Sequence, residues 1–237
     1  MCVRYTFHEP EAAIGAVADA LGVKLDAGAW LEPRFNVAPS QVAPIVAFVT
    51  GAPQLWPMRW GLIPPADRLL AQPRLLTNAR SETLLRRPAF KAAATRRRCL
   101  IPANGFYEFK DMGRRKDPFL FTLSNGAPMA IAGIWEPPLG VLPASFCLVT
   151  TEPNAALSPY HDRMPVILTP EAMGRWLGDQ PLTEEALQAL TRPIDPGLIA
   201  SRQVNGYVNN SRHEGPKCIA GPDEEGPEAQ LGLALSD

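Results

Sequence analysis

Residues 98–109 read RCLIPANGFYEF, an apolar and aromatic run that is typical of a β-strand. Six further runs of this kind lie at residues 42–49, 55–63, 118–123, 129–136, 145–151 and 164–169. Helical spacing of apolar residues is found at residues 8–23, 81–98, 169–178 and 183–192. Because strands and helices come in groups rather than in regular alternation, we predict a single α+β domain with a largely antiparallel sheet.

Proline and glycine mark the ends of the predicted helices. Pro10 lies early in the first helix and Gly22 just past its end, while Gly178 follows the third. Pro88 divides the second pattern, which therefore predicts one or two short helices.

Charge is distributed unevenly along the chain, although the formal net charge is only −1. From residue 214 onward six acidic residues accompany Lys217 alone, so we expect a domain over residues 1–221 and an acidic, disordered tail over 222–237. Between Arg80 and Arg98 seven basic residues accompany Glu82 alone. This density suits a polyanion, but a solvated helix face explains it equally well.

The composition, with 46% hydrophobic and 20% charged residues, is that of a soluble globular protein. The apolar runs have strand length and the start of the chain lacks signal-peptide features, so we expect a cytoplasmic, nucleoid-associated protein. The four cysteines form no CxxC pair or zinc-ligand spacing, and Cys99 and Cys147 are expected in the core. Missing phosphate-loop, GxSxG and HExxH motifs exclude nucleotide-dependent transferases, α/β-hydrolases and zinc proteases.

Polar residues interrupt the apolar pattern in four short segments, MCVR (1–4), TNARSET (77–83), NGFYEF (104–109) and YHDRMP (160–165). Each segment lies beside or at the end of a strand-like run, where a rigid scaffold can present functional groups. The candidate groups are the Cys2 thiol, the Asn78 amide, the Glu108 carboxylate, the His161 imidazole and the guanidiniums of Arg4, Arg80 and Arg163.

Each of these residues also has a structural interpretation. Partial burial would raise the pKa of Glu108 and make it a proton shuttle near neutrality, but a strand glutamate paired with an arginine is equally open. His161 is a candidate acid or base, or a structural histidine. Asn78 and Arg80 point the same way if their segment is extended, so one could orient a ligand and the other bind phosphate.

Cys2 offers a combination of groups that depends on its position. If Met1 is removed, Cys2 carries a thiol and a free amine on adjacent carbons. An amino-terminal amine has a pKa near 8 and is a better nucleophile at neutral pH than lysine, whose pKa is near 10.4.

Taken together, the segments resemble the SOS-response-associated peptidase (SRAP) family. The matching pieces follow the family's order to about residue 220 and read MCVR, RFNVAPSQ, WGLIPP, NARSET, RRCLIPANGFYEF, AGIWE, TTEPN, YHDRMPVIL and VNGYVNNSRHEGPKCI.

The resemblance implies a monomer with a barrel-like α+β core and a basic cleft, which binds single-stranded DNA at abasic sites without metal or organic cofactor. Cys2 would form a covalent crosslink to the lesion, and Asn78, Glu108 and His161 would complete the active site. Removal of Met1 would be a prerequisite, by an aminopeptidase or by the peptidase activity attributed to the family. The DNA contacts would come from Arg4, Arg80, Arg163, Pro39 and Ser81.

The expected chemistry follows from the abasic sugar, which equilibrates with an open aldehyde. The amine would give a Schiff base, and the adjacent thiol would close a five-membered thiazolidine in an intramolecular step. Two alternatives stay open, a thiol peptidase that uses Cys2 and His161 and a non-covalent reader of modified DNA.

Two positions depart from the family pattern. Val3 stands where the family usually has glycine, which makes the start of the chain bulkier where DNA must approach. Ala66 stands where the family often has an aromatic residue that could stack on a base. Trp60 is interpreted as packing, with base stacking as the alternative.

Overall fold

The computed structural model of the protein describes residues 3–49, 51–113, 115–178 and 180–224. The described strands are β1 (Tyr5–Phe7), β2 (Arg34–Val37), β3 (Val42–Val49), β4 (Ala52–Trp60), β5 (Asn78–Arg80), β6 (Arg98–Ala103), β7 (Gly105–Asp111), β8 (Lys116–Leu123), β9 (Met129–Glu136), β10 (Ser145–Thr151), β11 (Met164–Pro165), β12 (Ile167–Leu168) and β13 (Ile199–Gln203). The described helices are α1 (Pro10–Leu21), α2 (Pro88–Arg96), α3 (Pro170–Leu177) and α4 (Glu184–Leu190). The predicted α+β fold in a single domain is confirmed.

The strands form two sheets rather than one. The first sheet has the order β13-β8-β7-β1-β2, and all of its pairings are antiparallel. In the second sheet, β10, β4, β3, β6 and β9 pair successively, and β9 pairs again with β10, so these five strands form a closed ring. Among the described strands, only the pairings of β10 with β4 and β5 are parallel, which agrees with the predicted largely antiparallel arrangement.

The run at residues 98–109 supplies one strand to each sheet. β6 pairs with β3 and β9 in the second sheet, whereas β7 pairs with β1 and β8 in the first. The chain changes sheets at Asn104, whose backbone N–H donates to Thr6 O at 2.8 Å and whose side chain accepts from the Glu9 N–H at 3.0 Å. The single strand that the apolar run suggested is therefore two strands separated by a buried asparagine.

Gly105, the first residue of β7, lies closer to the neighbouring strand than a side chain allows. A Cβ at this position would lie 2.6 Å from the backbone oxygen of Phe121, and backbone cannot move aside as a flexible side chain can. The glycine thus permits the close approach of β7 to β8, which positions the rest of β7.

We expect Gly105→Ala to lower the free energy of unfolding by about 1–3 kcal/mol, the usual cost of overpacking. The control is Gly15→Ala in α1, where an added Cβ meets nothing within 4 Å. This control should be neutral or stabilising by up to about 1 kcal/mol, because alanine favours a helix. Urea denaturation of both variants measures the difference, and equal stabilities would contradict the steric interpretation of Gly105.

The helices begin and end near the expected residues. α1 starts at Pro10 and is capped by Gly22 in the left-handed conformation, at φ 64°. α3 ends directly before Gly178, and the Thr183 hydroxyl accepts a hydrogen bond from the Ala186 N–H at the start of α4. Every helix in the described ranges is too short or too polar to cross a lipid bilayer.

Part of the basic stretch between Arg80 and Arg98 has a structural role. Arg98 is buried, and its guanidinium donates to backbone carbonyls at the ends of α2 and α3, including Ala94 O and Trp176 O. The adjacent Arg97 bonds the buried carboxylate of Glu136 at 2.6 Å. These two cations stabilise the fold and are not available to a polyanion.

Candidate active site

Glu108 lies at the centre of the site, on the face of β7 that is turned toward the main apolar core. It is directly opposite Phe119 on β8, and two residues earlier Phe106 is opposite Phe121. Its side chain is buried, and Oε1 has no hydrogen-bond partner in the described structure. A buried carboxylate oxygen without a partner is costly, so this atom indicates an interaction with a group that the described residues do not supply.

The segment that carries His161 packs on the same face of the first sheet. The ring of Tyr160 lies 4.7 Å from that of Phe119 and 5.1 Å from that of Phe121, measured between centroids. Phe119 is the residue opposite Glu108, so Tyr160 brings His161 and its neighbours to the Glu108 side of β7.

His161 has a defined orientation. The backbone N–H of Arg163 donates to Nδ1 at 2.9 Å, so the neutral ring carries its hydrogen on Nε2. The exposed carboxylate of Asp162 lies 2.8 Å from the same Nδ1 and can accept from it once the ring is protonated. When His161 takes up a proton at Nδ1, the Asp162 carboxylate can replace the Arg163 N–H as the partner of that atom.

Asn78 comes from the second sheet and is oriented by its neighbour. Its Nδ2 donates to Thr77 Oγ1 at 3.1 Å, which leaves Oδ1 buried and without a partner in the described structure. The carbonyl of Thr77 accepts from Trp60 Nε1 at 2.9 Å, and the Trp60 ring lies 5.4 Å from that of Tyr5. One aromatic ring thus connects the Asn78 segment to β1, at the start of the chain.

The start of the chain runs along β7. Tyr5 pairs with Phe106, and the Tyr107 N–H donates to Arg4 O at 3.0 Å. Continuing this antiparallel register places Val3 opposite Glu108. Met1 and Cys2, including the predicted nucleophile, lie outside the described residues.

The two titratable groups of the site have shifted pKa values. Burial raises the pKa of Glu108 to about 7, and the negative charge of Asp162 contributes in the same direction. Partial burial lowers the pKa of His161 below its usual value. Both shifts favour the uncharged forms, so near neutral pH Glu108 can donate or accept a proton and His161 is mostly neutral.

The three predicted arginines lie in different environments. Arg163 is buried, binds both carboxylate oxygens of Glu82 at 2.6 and 2.9 Å, and donates to Thr150 O. The guanidinium of Arg4 donates to Asn36 Oδ1 and to the carbonyls of residues 208 and 209. Arg80 is exposed and makes no ion pair in the described structure. Arg80 is therefore the arginine with the most accessible charge, and the phosphate contacts of all three stay predictions.

The remaining predicted residues border this region. Pro39 is partly exposed and precedes Ser40, whose backbone is left-handed at φ 73° and whose N–H donates to Trp60 O. Ser81 is buried directly after β5. Trp60 is fully buried between Tyr5 and a ring of the second sheet, which confirms packing rather than base stacking.

Sequence reasoning missed three contributors to this site. Tyr160 positions the His161 segment, Thr77 orients the Asn78 amide, and Glu82 neutralises Arg163. All three lie within polar segments identified from the sequence. Thr77 is adjacent to Asn78, whereas Glu82 lies 81 residues from Arg163 along the chain. For Tyr160 and Glu82, only the tertiary structure reveals the pairing.

A groove of about 990 Å³ borders this region at Ser81 and Glu82. Its lining does not include Asn78, Glu108 or His161. Its charged residues are five acids and two bases, namely Glu82, Glu152, Glu184, Glu185, Asp195, Arg86 and Arg192. This excess of acidic residues disfavours phosphate groups, so we place the candidate site at Glu108 and not in this groove. The described ranges also contain no cluster of three or more side chains suited to hold a metal ion.

Comparison with known proteins identifies the family of the chain. The family described as SOS response associated peptidase (SRAP) matches residues 1–211. The chain belongs to the SRAP family. The chain is 36% identical over 191 residues to the abasic site processing protein YoqW of Bacillus subtilis, covering 79% of this chain and 85% of the relative. It is 30% identical over 274 residues to the abasic site processing protein HMCES of Rattus norvegicus, covering 94% and 76%.

Solved structures share the fold of this SRAP protein. A protein from Bacteroides thetaiotaomicron superposes with a TM-score of 0.78 at 22% identity, covering 93% of this chain and 99% of that one. A protein from Bordetella bronchiseptica gives a TM-score of 0.71 at 24% identity, covering 86% and 100%. At these identities the likeness concerns the fold alone.

Proposed function

We propose that this SRAP protein binds abasic sites in single-stranded DNA and forms a covalent thiazolidine crosslink through Cys2, which shields the lesion. The observation that carries the proposal is the pair of buried, unpartnered acceptors, Asn78 Oδ1 and Glu108 Oε1. Glu108 is on β7, which pairs with β1, and Trp60 links the segment of Asn78 to Tyr5 of β1. An amine is a donor that can satisfy such acceptors. The names of the relatives, abasic site processing proteins, support the choice of substrate.

The first chemical step is attack of the Cys2 amine on the aldehyde carbon of the open sugar. The carbon–nitrogen bond forms, the aldehyde oxygen takes up protons and leaves as water, and an imine results. Glu108, with its pKa of about 7, accepts a proton from the attacking amine and donates one to the leaving oxygen. Asn78 Oδ1 orients the amine through a hydrogen bond.

The second step closes the ring. The Cys2 sulfur adds to the imine carbon, and the thiol proton passes to the nitrogen, so no oxidant or reductant is needed. Because amine and thiol belong to one residue, closure is intramolecular and has a large effective-molarity advantage. His161 assists ring opening of the sugar or reversal of the crosslink as an acid or base.

The free amine requires that Met1 be removed first, by an aminopeptidase or by hydrolysis at the protein's own site. The intact mass of the purified protein distinguishes the two forms directly. A mature chain that retains Met1 has no Cys2 amine and contradicts the thiazolidine mechanism.

The direct test is incubation of the protein with single-stranded DNA that contains one abasic site, followed by a denaturing gel. We expect a shifted band that depends on the lesion, with undamaged DNA of the same sequence as control. The absence of any shifted band would overturn the proposal and favour the non-covalent reader or the peptidase.

Arg80 is expected to contact a backbone phosphate, because it is exposed beside Asn78 and has no ion pair in the described structure. Arg80→Ala should reduce the slope of log affinity against log salt by about 0.7, the value for one phosphate in a single strand. The control is Arg175→Ala, an exposed arginine in the last turn of α3. Equal slopes for the wild type and the Arg80 variant would remove Arg80 from the DNA contacts.

A further inference from the structure

Lys110 shares the Glu108 face of β7. The two residues are two positions apart in an extended strand, so their side chains point the same way, about 7 Å from one another along the strand. Lys110 lies next to the outer end of β7, and Nζ is 5.4 Å from the centroid of the Tyr160 ring. Tyr160 directly precedes His161, so Lys110 lies on the same side of β7 as Glu108 and the segment that carries His161.

The charge of Lys110 is not neutralised by a carboxylate. Its cross-strand neighbour is Asp117, but that carboxylate bonds Arg115 Nε at 2.9 Å. In the described structure Lys110 makes no ion pair, and its ammonium group lies over the aromatic face of Tyr160. This ring is already held by Phe119 and Phe121, so Lys110 is not needed to position it.

The surroundings direct an anion toward Lys110. On the same hairpin Lys116 adds a positive charge, which contributes to lowering the pKa of His161 after the larger effect of burial. The groove lined by Glu82 and Glu184 is acidic and repels phosphates. In the described part of the outer end of the β7–β8 hairpin, residues 110–117, the basic residues Lys110, Arg115 and Lys116 outnumber the acidic residues Asp111 and Asp117. Phosphates near Glu108 are therefore attracted more strongly to this hairpin than to the acidic groove.

We propose that Lys110 binds the DNA phosphate next to the abasic sugar and so holds the lesion at Glu108. The proposal rests on the proposed function. It assigns Lys110 a role as a DNA-binding residue, with single-stranded DNA as the ligand. The bond is an ammonium–phosphate contact that forms while the aliphatic part of the side chain stays on Tyr160.

The chain offers a matched control in Lys217, whose Nζ lies 5.7 Å from the ring of Tyr207 in the C-terminal part of the domain. Lys110→Gln and Lys217→Gln each remove one lysine charge from an aromatic face. Binding to undamaged single-stranded DNA is measured by fluorescence anisotropy over a range of salt concentrations. The rate of crosslinking to abasic DNA is measured at subsaturating protein.

We expect Lys110→Gln to reduce the slope of log affinity against log salt concentration by about 0.7 and to slow crosslinking about fivefold. Lys217→Gln should match the wild type in both measurements. Lys110→Arg should restore the slope, because it keeps the charge. An unchanged slope for Lys110→Gln, or an equal loss for Lys217→Gln, overturns the proposal. If Lys110→Gln reduces the salt dependence of DNA binding but the wild type forms no crosslink, the proposed function fails and the phosphate contact stands.

A second measurement uses the wild-type protein and does not depend on the folding of a variant. Lysines are acetylated with and without single-stranded DNA, and the modified positions are found by mass spectrometry. Lys110 should be protected by DNA and Lys217 should not. Equal modification of Lys110 in both samples contradicts the proposed contact.

Discussion

Replacing Glu108 with glutamine is expected to stabilise the protein by about 3 kcal/mol at pH 8. The folded state holds the proton of Glu108 up to a pKa of about 7, whereas the unfolded chain releases it at the ordinary value of 4.5. Each unit of difference corresponds to about 1.4 kcal/mol. Glutamine avoids this cost, because it buries an uncharged amide of almost the same shape.

The sign of the pH dependence follows from this shift. Between pH 4.5 and 7 the folded state binds more protons at Glu108 than the unfolded state, so the wild type loses stability as the pH rises. Below pH 4.5 both states are protonated, and the advantage of Glu108→Gln should vanish. Urea denaturation at pH 4 and pH 8 checks this, with Glu11→Gln as the exposed control.

The same substitution should slow crosslinking about 10²-fold at pH 7, the usual effect of losing a general acid or base. Binding of undamaged single-stranded DNA should change by less than about twofold, because the proposed mechanism gives Glu108 no contact with phosphate. A stabilised variant that crosslinks slowly is expected only if Glu108 transfers a proton. Equal losses in DNA binding and crosslinking rate would contradict this role. A Glu108→Gln variant less stable than the wild type at pH 8 would contradict the conclusion that burial of the Glu108 carboxylate is costly.

The second large effect concerns Cys2. Cys2→Ala keeps the amine but lacks the thiol, so it should stop at the imine and lose the band that survives denaturing electrophoresis. Cys2→Ser should behave in the same way, because a hydroxyl closes the ring less favourably than a thiol. For both variants, reduction with borohydride during the reaction should recover a band by trapping the imine.

These variants distinguish the role of the Cys2 amine in forming the imine from the role of the thiol in closing the ring. A stable band for Cys2→Ala without borohydride would contradict the thiazolidine, and no band with borohydride would contradict the imine. Binding to undamaged DNA should stay within about twofold of the wild type. Intact mass must show for each variant that Met1 has been removed.

Much of the architecture could be predicted from local patterns. Pro10 and Gly22 mark the ends of α1 because their backbone preferences act within a few residues. Cys99 and Cys147 are buried as expected from their apolar runs. The division of residues 98–109 between two sheets was not predictable in this way, because it depends on strand pairing with residues far away in the chain.

The sequence by itself determined which chemical groups are available, including the thiol of Cys2 and the carboxylate of Glu108, and it identified the family. Only the tertiary structure decided how these groups are paired. Arg163 is bound to Glu82, 81 residues away. Asp117, the cross-strand neighbour of Lys110, forms its ion pair with Arg115. The physical reason is that burial and ion pairing depend on contacts across the fold, whereas residue type and helix ends are local properties.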